Sequence, residues 1–203
     1  PSDMDKLINK SKQLMLESNQ YSVKKLNPEI ANSSIFIVGM PRSGSTLLES
    51  ILSINIDVND LGEINIFEES FLEWKKSLLT QNKLELEDLY YDKLKKLSPN
   101  SKITTNKWLY NYQYAGLIAT QLATSKIIYC HRHPLDNILS IYRANFARGN
   151  SYSSSLKDSA KIYLDHEQII SQYKKHFPDK IYDLNYDLLV NQPNQEIKSL
   201  ISW

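Results

Sequence analysis

Cysteine, glycine and long apolar runs are all scarce in this chain. Cys130 is the single cysteine among 203 residues, which excludes an internal disulfide and fits a reducing compartment, hence an expected cytoplasmic setting. No apolar stretch approaches the roughly 20 residues of a membrane-spanning helix, and no charged, then apolar, then small-residue leader opens the sequence. The chain begins at Pro1 without a methionine and stops at Trp203 inside an apolar-periodic segment, so it reads as part of a longer protein. Charge of either sign is not in excess. A net charge of +1 gives no general attraction to nucleic acid or membrane surfaces, so any anion binding must come from local arrangement. Internal repeats and low-complexity tracts are missing too. Only five glycines occur, and two of them, Gly39 and Gly44, frame one loop.

What is present is the composition of a soluble globular domain, 41% hydrophobic and 23% charged, and long enough for one proper core. Residues 4–16 place Met4, Leu7, Ile8, Leu14 and Met15 near one side of a helix. The segment 27–34, NPEIANSS, reads as a linker, so the expected division is a helical extension and linker over 1–32 and a domain over 33–203. Beyond it, β-like runs at Ile35–Val38, Lys102–Thr105, Lys126–Cys130 and Lys180–Leu184 alternate with helical patterns over 46–54, 64–79, 84–97, 110–123, 134–147 and 155–176. Ser155 and Asp158 are spaced as a capping box for the last of these. The alternation predicts an α/β fold: a mainly parallel sheet flanked by helices, with a phosphate-binding strand–loop–helix.

That strand–loop–helix is SIFIVGMPRSGSTLLESIL, residues 34–52. Gly39 lets the chain leave the strand, and Gly44 lets backbone N–H groups approach an oxyanion. Ser45 and Thr46 offer hydroxyls where the helix starts and its dipole favours negative charge. Phosphate loops of the GxxxxGK[ST] kind add a lysine and hold magnesium. Here the pattern is GxxxxGST, and Ser45 stands in the lysine's place with Arg42 three residues earlier. Such a loop suits a ligand with a single phosphate at that end and no bridging metal. The plain alternative is a strand-to-helix turn without a ligand.

A second strand–turn–helix, SKIIYCHRHPLDNILSIYRANF (125–146), places Arg132 just past a strand end. Pro134 suits a first helical position. Leu135, Ile138, Leu139, Tyr142 and Phe146 form the expected buried stripe, with Ser140 off it. Ligands of parallel sheets bind at the carboxyl ends of strands, so Arg132 and Ser140 can grip a second phosphate. A solvated arginine and a helix-surface serine are the alternative.

The stretches VGMPRSGSTLLESIL and CHRHPLDNILSIY resemble the two cofactor motifs of the sulfotransferase superfamily. LGEINIF (61–67), NKWLYN (106–111) and LNYDLLVNQP (184–193) agree, with Asp187 where the family has glutamate. The resemblance is nearest to the bacterial tetratricopeptide-linked sulfotransferases and the tyrosylprotein branch. It implies a 3′-phosphoadenylyl sulfate-dependent transferase over 33–203, incomplete at its C-terminus, with adenosine 3′,5′-bisphosphate as nucleotide product. The cofactor contacts implied are Arg42, Ser43, Gly44, Ser45 and Thr46 for the 5′-phosphosulfate, Arg132 and Ser140 for the 3′-phosphate, and Tyr186. Arg42 and Lys107 are implied to stabilise the leaving phosphate and Glu63 to act as base, with Glu68 or Glu69 next in line. The histidine used by the small-molecule branch is absent; Leu109 stands there. The implied acceptor is hydroxyl-bearing (protein tyrosine, glycan or small molecule), and helical repeats are implied before residue 1.

Other features receive plainer readings. Cys130, His131 and His133 alternate in direction along an extended segment, which argues against a metal site. His166 and His176 read as helix-surface residues. The 13 tyrosines, Tyr90, Tyr91, Tyr110, Tyr112 and Tyr114 among them, lack a basic strip and read as packing rather than base stacking. Two alternatives to the transferase stay open: a nucleotide-dependent phosphate-loop kinase, and a non-catalytic module whose residues 1–26 end a helical repeat array.

Overall fold

The computed structural model describes residues 3–25, 33–144, 146 and 150–203. Its elements are α1 (Asp3–Ser18), β1 (Ser33–Gly39), α2 (Ser45–Leu52), β2 (Val58–Asp60), α3 (Ile66–Ser77), α4 (Leu86–Leu97), β3 (Ile103–Asn106), α5 (Ala115–Gln121), β4 (Lys126–His131), α6 (Pro134–Arg143), α7 (Leu156–His176), β5 (Ile181–Asn185), α8 (Tyr186–Asn191) and α9 (Pro193–Ser202). Short 3₁₀ turns cover Leu109–Tyr114 and Ser151–Ser154. Most of the expected linker, residues 27–32 of 27–34, lies outside the described residues, as do 145 and 147 at the end of the helix expected over 134–147.

The strands form one parallel sheet in the order β2-β3-β1-β4-β5. The β-branched and aromatic runs of β1 and β4 are buried on both faces, as strands covered on both sides require. Phe36, Val38, Ile127 and Tyr129 point into a core with α3, α4, α5 and α7. Ile37, Ile128 and Cys130 point the other way, toward Leu48 of α2, Leu189 of α8 and Leu200 of α9. Helix α1 joins the first layer through Leu14, and its Ser11 hydroxyl lies 3.2 Å from the Tyr112 hydroxyl. From β1 the chain runs to one sheet edge and from β4 to the other, so a crevice opens beyond the carboxyl ends of these two strands.

Several expectations need correction. His166 is fully buried; its ring packs against Tyr112 and Tyr129 at centroid distances of 4.4 and 5.2 Å. Burial, with the nearby His131 adding to it, pushes its pKa down to about 3. The stripe expected on α6 is also turned. Leu135, Leu139 and Tyr142 are exposed, while Asn137 and Ile141 are buried. The cause is local: the Asn137 amide donates to the Pro41 carbonyl at 2.9 Å, and Ile141 enters a cluster with Met40, Tyr152 and Ile162. The helix expected over 110–123 splits into a 3₁₀ turn and α5. No described helix is long and apolar enough to cross a membrane.

Candidate active site

Gly39 and Gly44 both have positive φ, 153° and 93°, and each faces a close neighbour. A Cβ on Gly39 would strike the Cys130 carbonyl, and one on Gly44 would enter the Tyr186 ring. Arg42 also adopts the left-handed region, at φ 68°. Left-handed residues alternating with right-handed ones turn successive N–H groups into one concavity that suits an anion. Ser45 then opens α2, adding a helix N-terminus. The Ser43 hydroxyl is buried without a hydrogen-bond partner.

Two cavities meet at Arg42. One, of about 540 Å³, is lined by Arg42, Ser45, Thr46, Glu63 and an aromatic wall of Trp108, Tyr110 and Phe146. The other, of about 320 Å³, is lined by Arg42, Arg132, Ser140 and Arg143, with Asp136 as its acid. The Arg42 Nε donates to the Ser140 hydroxyl at 3.3 Å. Arg132 lies over the Tyr186 ring, 5.1 Å from its centroid; its Nε is buried without a hydrogen bond, 3.9 Å from Asp187. Asp187 in turn accepts from the His133 amide at 2.9 Å. The structure therefore brings Arg42, Ser45, Thr46 and Glu63 together, and Arg132, Ser140 and Tyr186 beside them.

Lys107 follows β3 and is 5% exposed. Its amine donates to Glu63 at 2.8 Å, while Glu63 is 59% exposed at the cavity wall. Glu68 instead accepts from Lys10 at 2.5 Å on α1. Glu49 was not singled out in the sequence. It is buried on α2 and accepts from the Thr105 hydroxyl at 2.8 Å. Its only sequence signal is an acid interrupting the apolar spacing of a short helix. Among the described residues no group of three or more His, Cys, Asp or Glu could hold a metal. Cys130 is a buried free thiol, its pKa pushed up by burial, and His131 pairs with Asp183 at 3.2 Å.

The sequence profile of the sulfotransferase family matches residues 34–203. An uncharacterised protein of Aquifex aeolicus (strain VF5) is 30% identical over 189 residues, covering 83% of this chain and 25% of its own length. The chain thus spans a quarter of that curated relative. Among solved structures, the sulfotransferase STF9 from Mycobacterium avium is similar over 85% of this chain and 64% of its own, at TM-score 0.53 and 10% identity. Shikimate kinase from Bacteroides thetaiotaomicron is similar over 84% of this chain and 99% of its own, at TM-score 0.52 and 13% identity. At these identities the likeness is one of fold alone.

Proposed function

The chain belongs to the sulfotransferase family, and on that premise we propose that it moves a sulfuryl group from 3′-phosphoadenylyl sulfate to an acceptor hydroxyl without a metal. The observation that carries this reading is the pair of cavities sharing Arg42, one on the phosphate loop and one at Arg132 and Ser140. The residues fit a nucleotide with phosphates at both ends of its ribose. Gly44, lacking a Cβ, lets the Tyr186 ring close onto the loop, and the Ser43 hydroxyl and Arg132 Nε are buried groups with hydrogen bonds still to make. The nucleotide supplies an activated sulfuryl group on its 5′-phosphate.

The residues divide the work by charge. Backbone N–H groups of 43–46 and the Ser45 and Thr46 hydroxyls hold the 5′ end, and Arg132 with Ser140 holds the 3′-phosphate. Tyr186 packs against the loop. Arg42 and Lys107 neutralise the phosphate oxygen that receives the bonding electrons as the sulfur–oxygen bond breaks. Glu63 takes the proton of the acceptor hydroxyl as its oxygen bonds to sulfur. The acceptor (a protein tyrosine, glycan or small molecule) enters beside Trp108, Tyr110 and Phe146. LGEINIF and NKWLYN support placing the chain near the tetratricopeptide-linked and tyrosylprotein branches, with helical repeats as its N-terminal partner; the single cysteine, Cys130, fits a reducing, cytoplasmic setting.

The test is nucleotide selectivity. Arg132→Ala is expected to weaken adenosine 3′,5′-bisphosphate far more than adenosine 5′-phosphate, measured by calorimetry, because only the former carries a 3′-phosphate. Equal loss for both nucleotides removes Arg132 from the site.

A further inference from the structure

Glu49 is a buried carboxylate, 6% exposed, that the transfer reaction as drawn does not use. Two separate segments, the end of β3 and the Gly62 turn, converge on it. The Thr105 hydroxyl of β3 donates to its Oε1 at 2.8 Å, the Gly62 amide donates to the same atom at 3.3 Å, and the Lys107 amine lies 4.0 Å from its Oε2. The Lys107 amide closes the arrangement by donating to the Gly62 carbonyl at 2.8 Å. Glu49 thus ties the helix that receives the phosphate loop to both the residue before Glu63 and the lysine after β3.

The charges explain why a carboxylate is there. Lys107 is buried, and a buried cation without a counter-charge is strongly disfavoured. Its short contact is Glu63, at 2.8 Å. When Glu63 accepts a proton it becomes neutral, and the lysine loses that partner at the moment it must face the leaving phosphate. A second carboxylate that never takes part in the proton transfer keeps the lysine compensated throughout.

We propose that Glu49 is a positioning residue: the permanent counter-charge of Lys107 and the anchor of the Gly62–Glu63 turn, through which it sets the rate of transfer. This rests on the sulfotransferase reading. The readout is single-turnover release of adenosine 3′,5′-bisphosphate from 3′-phosphoadenylyl sulfate by excess full-length protein, with water as acceptor. Sulfate is the other product, and the water proton goes to Glu63. Glu49→Gln keeps an oxygen for Thr105 and Gly62 but removes the charge. Its rate is expected to fall about tenfold or more, the scale on which losing a supporting partner of a charged group is felt, with bisphosphate affinity unchanged. Glu49→Asp, which keeps the charge on a shorter arm, should recover most of that rate.

A merely structural carboxylate predicts the reverse order, glutamine above aspartate, and that result overturns the proposal, as does an unchanged rate in Glu49→Gln. Should Glu49→Gln not fold, Thr105→Val releases the carboxylate's anchor. A slower rate at intact bisphosphate affinity then supports the proposal, and an unchanged rate overturns it. Failure of the parent reading looks different: the unmutated protein neither binds the bisphosphate nor cleaves the donor, and the proposal falls with it.

Discussion

A non-glycine residue held in the left-handed region costs about 1–3 kcal/mol and persists where the surroundings enforce it. Arg42 sits there, at φ 68°, and its side chain lines both cavities. Only Glu63 and Lys107 are as directly tied to the proposed chemistry. A positioned base contributes about 10²–10⁴-fold to rate. Glu63→Gln should therefore reduce turnover by that order while bisphosphate affinity stays near normal, whereas Lys107→Ala should reduce both. Steady-state kinetics at saturating donor and acceptor, with calorimetry alongside, separates the two. Nearly full turnover in Glu63→Gln, with chemistry limiting, moves the base elsewhere. The sequence singled these residues out through motifs that resemble the family's, and the structure sets Arg42 and Glu63 on one cavity with Lys107 hydrogen-bonded to Glu63. Glu49 was not singled out, since one acid in a helix says nothing of the two donors and the buried lysine that fold around it.

Elements were legible where pattern and burial agree. The expected strands ending at Val38, Thr105, Cys130 and Leu184 match β1, β3, β4 and β5 to within one or two residues; β1 and β4 stand out most because strands covered on both faces carry near-continuous apolar runs. β2 escaped notice: three residues, Val58–Asp60, become a strand only by pairing with β3. Helices α8 and α9 are short, and Asn185 and Pro193 start them rather than a long apolar period. On α6 the tertiary bond from Asn137 to Pro41 overrode the apolar stripe. In α7, His166 carries a testable cost. Both ring nitrogens are buried without partners, and its pKa falls to about 3 from 6.5. The unfolded chain binds that proton more readily, so stability is fully present above about pH 6.5 and declines as pH falls toward 3. The slope approaches about 1.4 kcal/mol per pH unit for one proton. His166→Phe should flatten the decline in Tm across this window, measured by calorimetry from pH 7 to pH 4 in about half-unit steps. An unchanged slope assigns the pH dependence to other groups.

For the whole molecule, the order β2-β3-β1-β4-β5 opens one crevice over the ends of β1 and β4. Both anion-binding candidates sit there because Gly39 ends β1 and His131, just before Arg132, ends β4. A kinase and a sulfotransferase both resemble this frame, so the sheet does not choose between phosphoryl and sulfuryl chemistry. The choice falls to the loop, where Ser45 replaces a lysine, and to the second site at Arg132. The measurement that bears most directly on the central claim is a calorimetric titration of the full-length protein with adenosine 3′,5′-bisphosphate in a metal chelator, set against ATP with magnesium. The account predicts saturable one-to-one binding of the bisphosphate that persists in chelator, and far weaker binding of ATP with or without magnesium. Magnesium-dependent binding of ATP, with no binding of the bisphosphate, would contradict it.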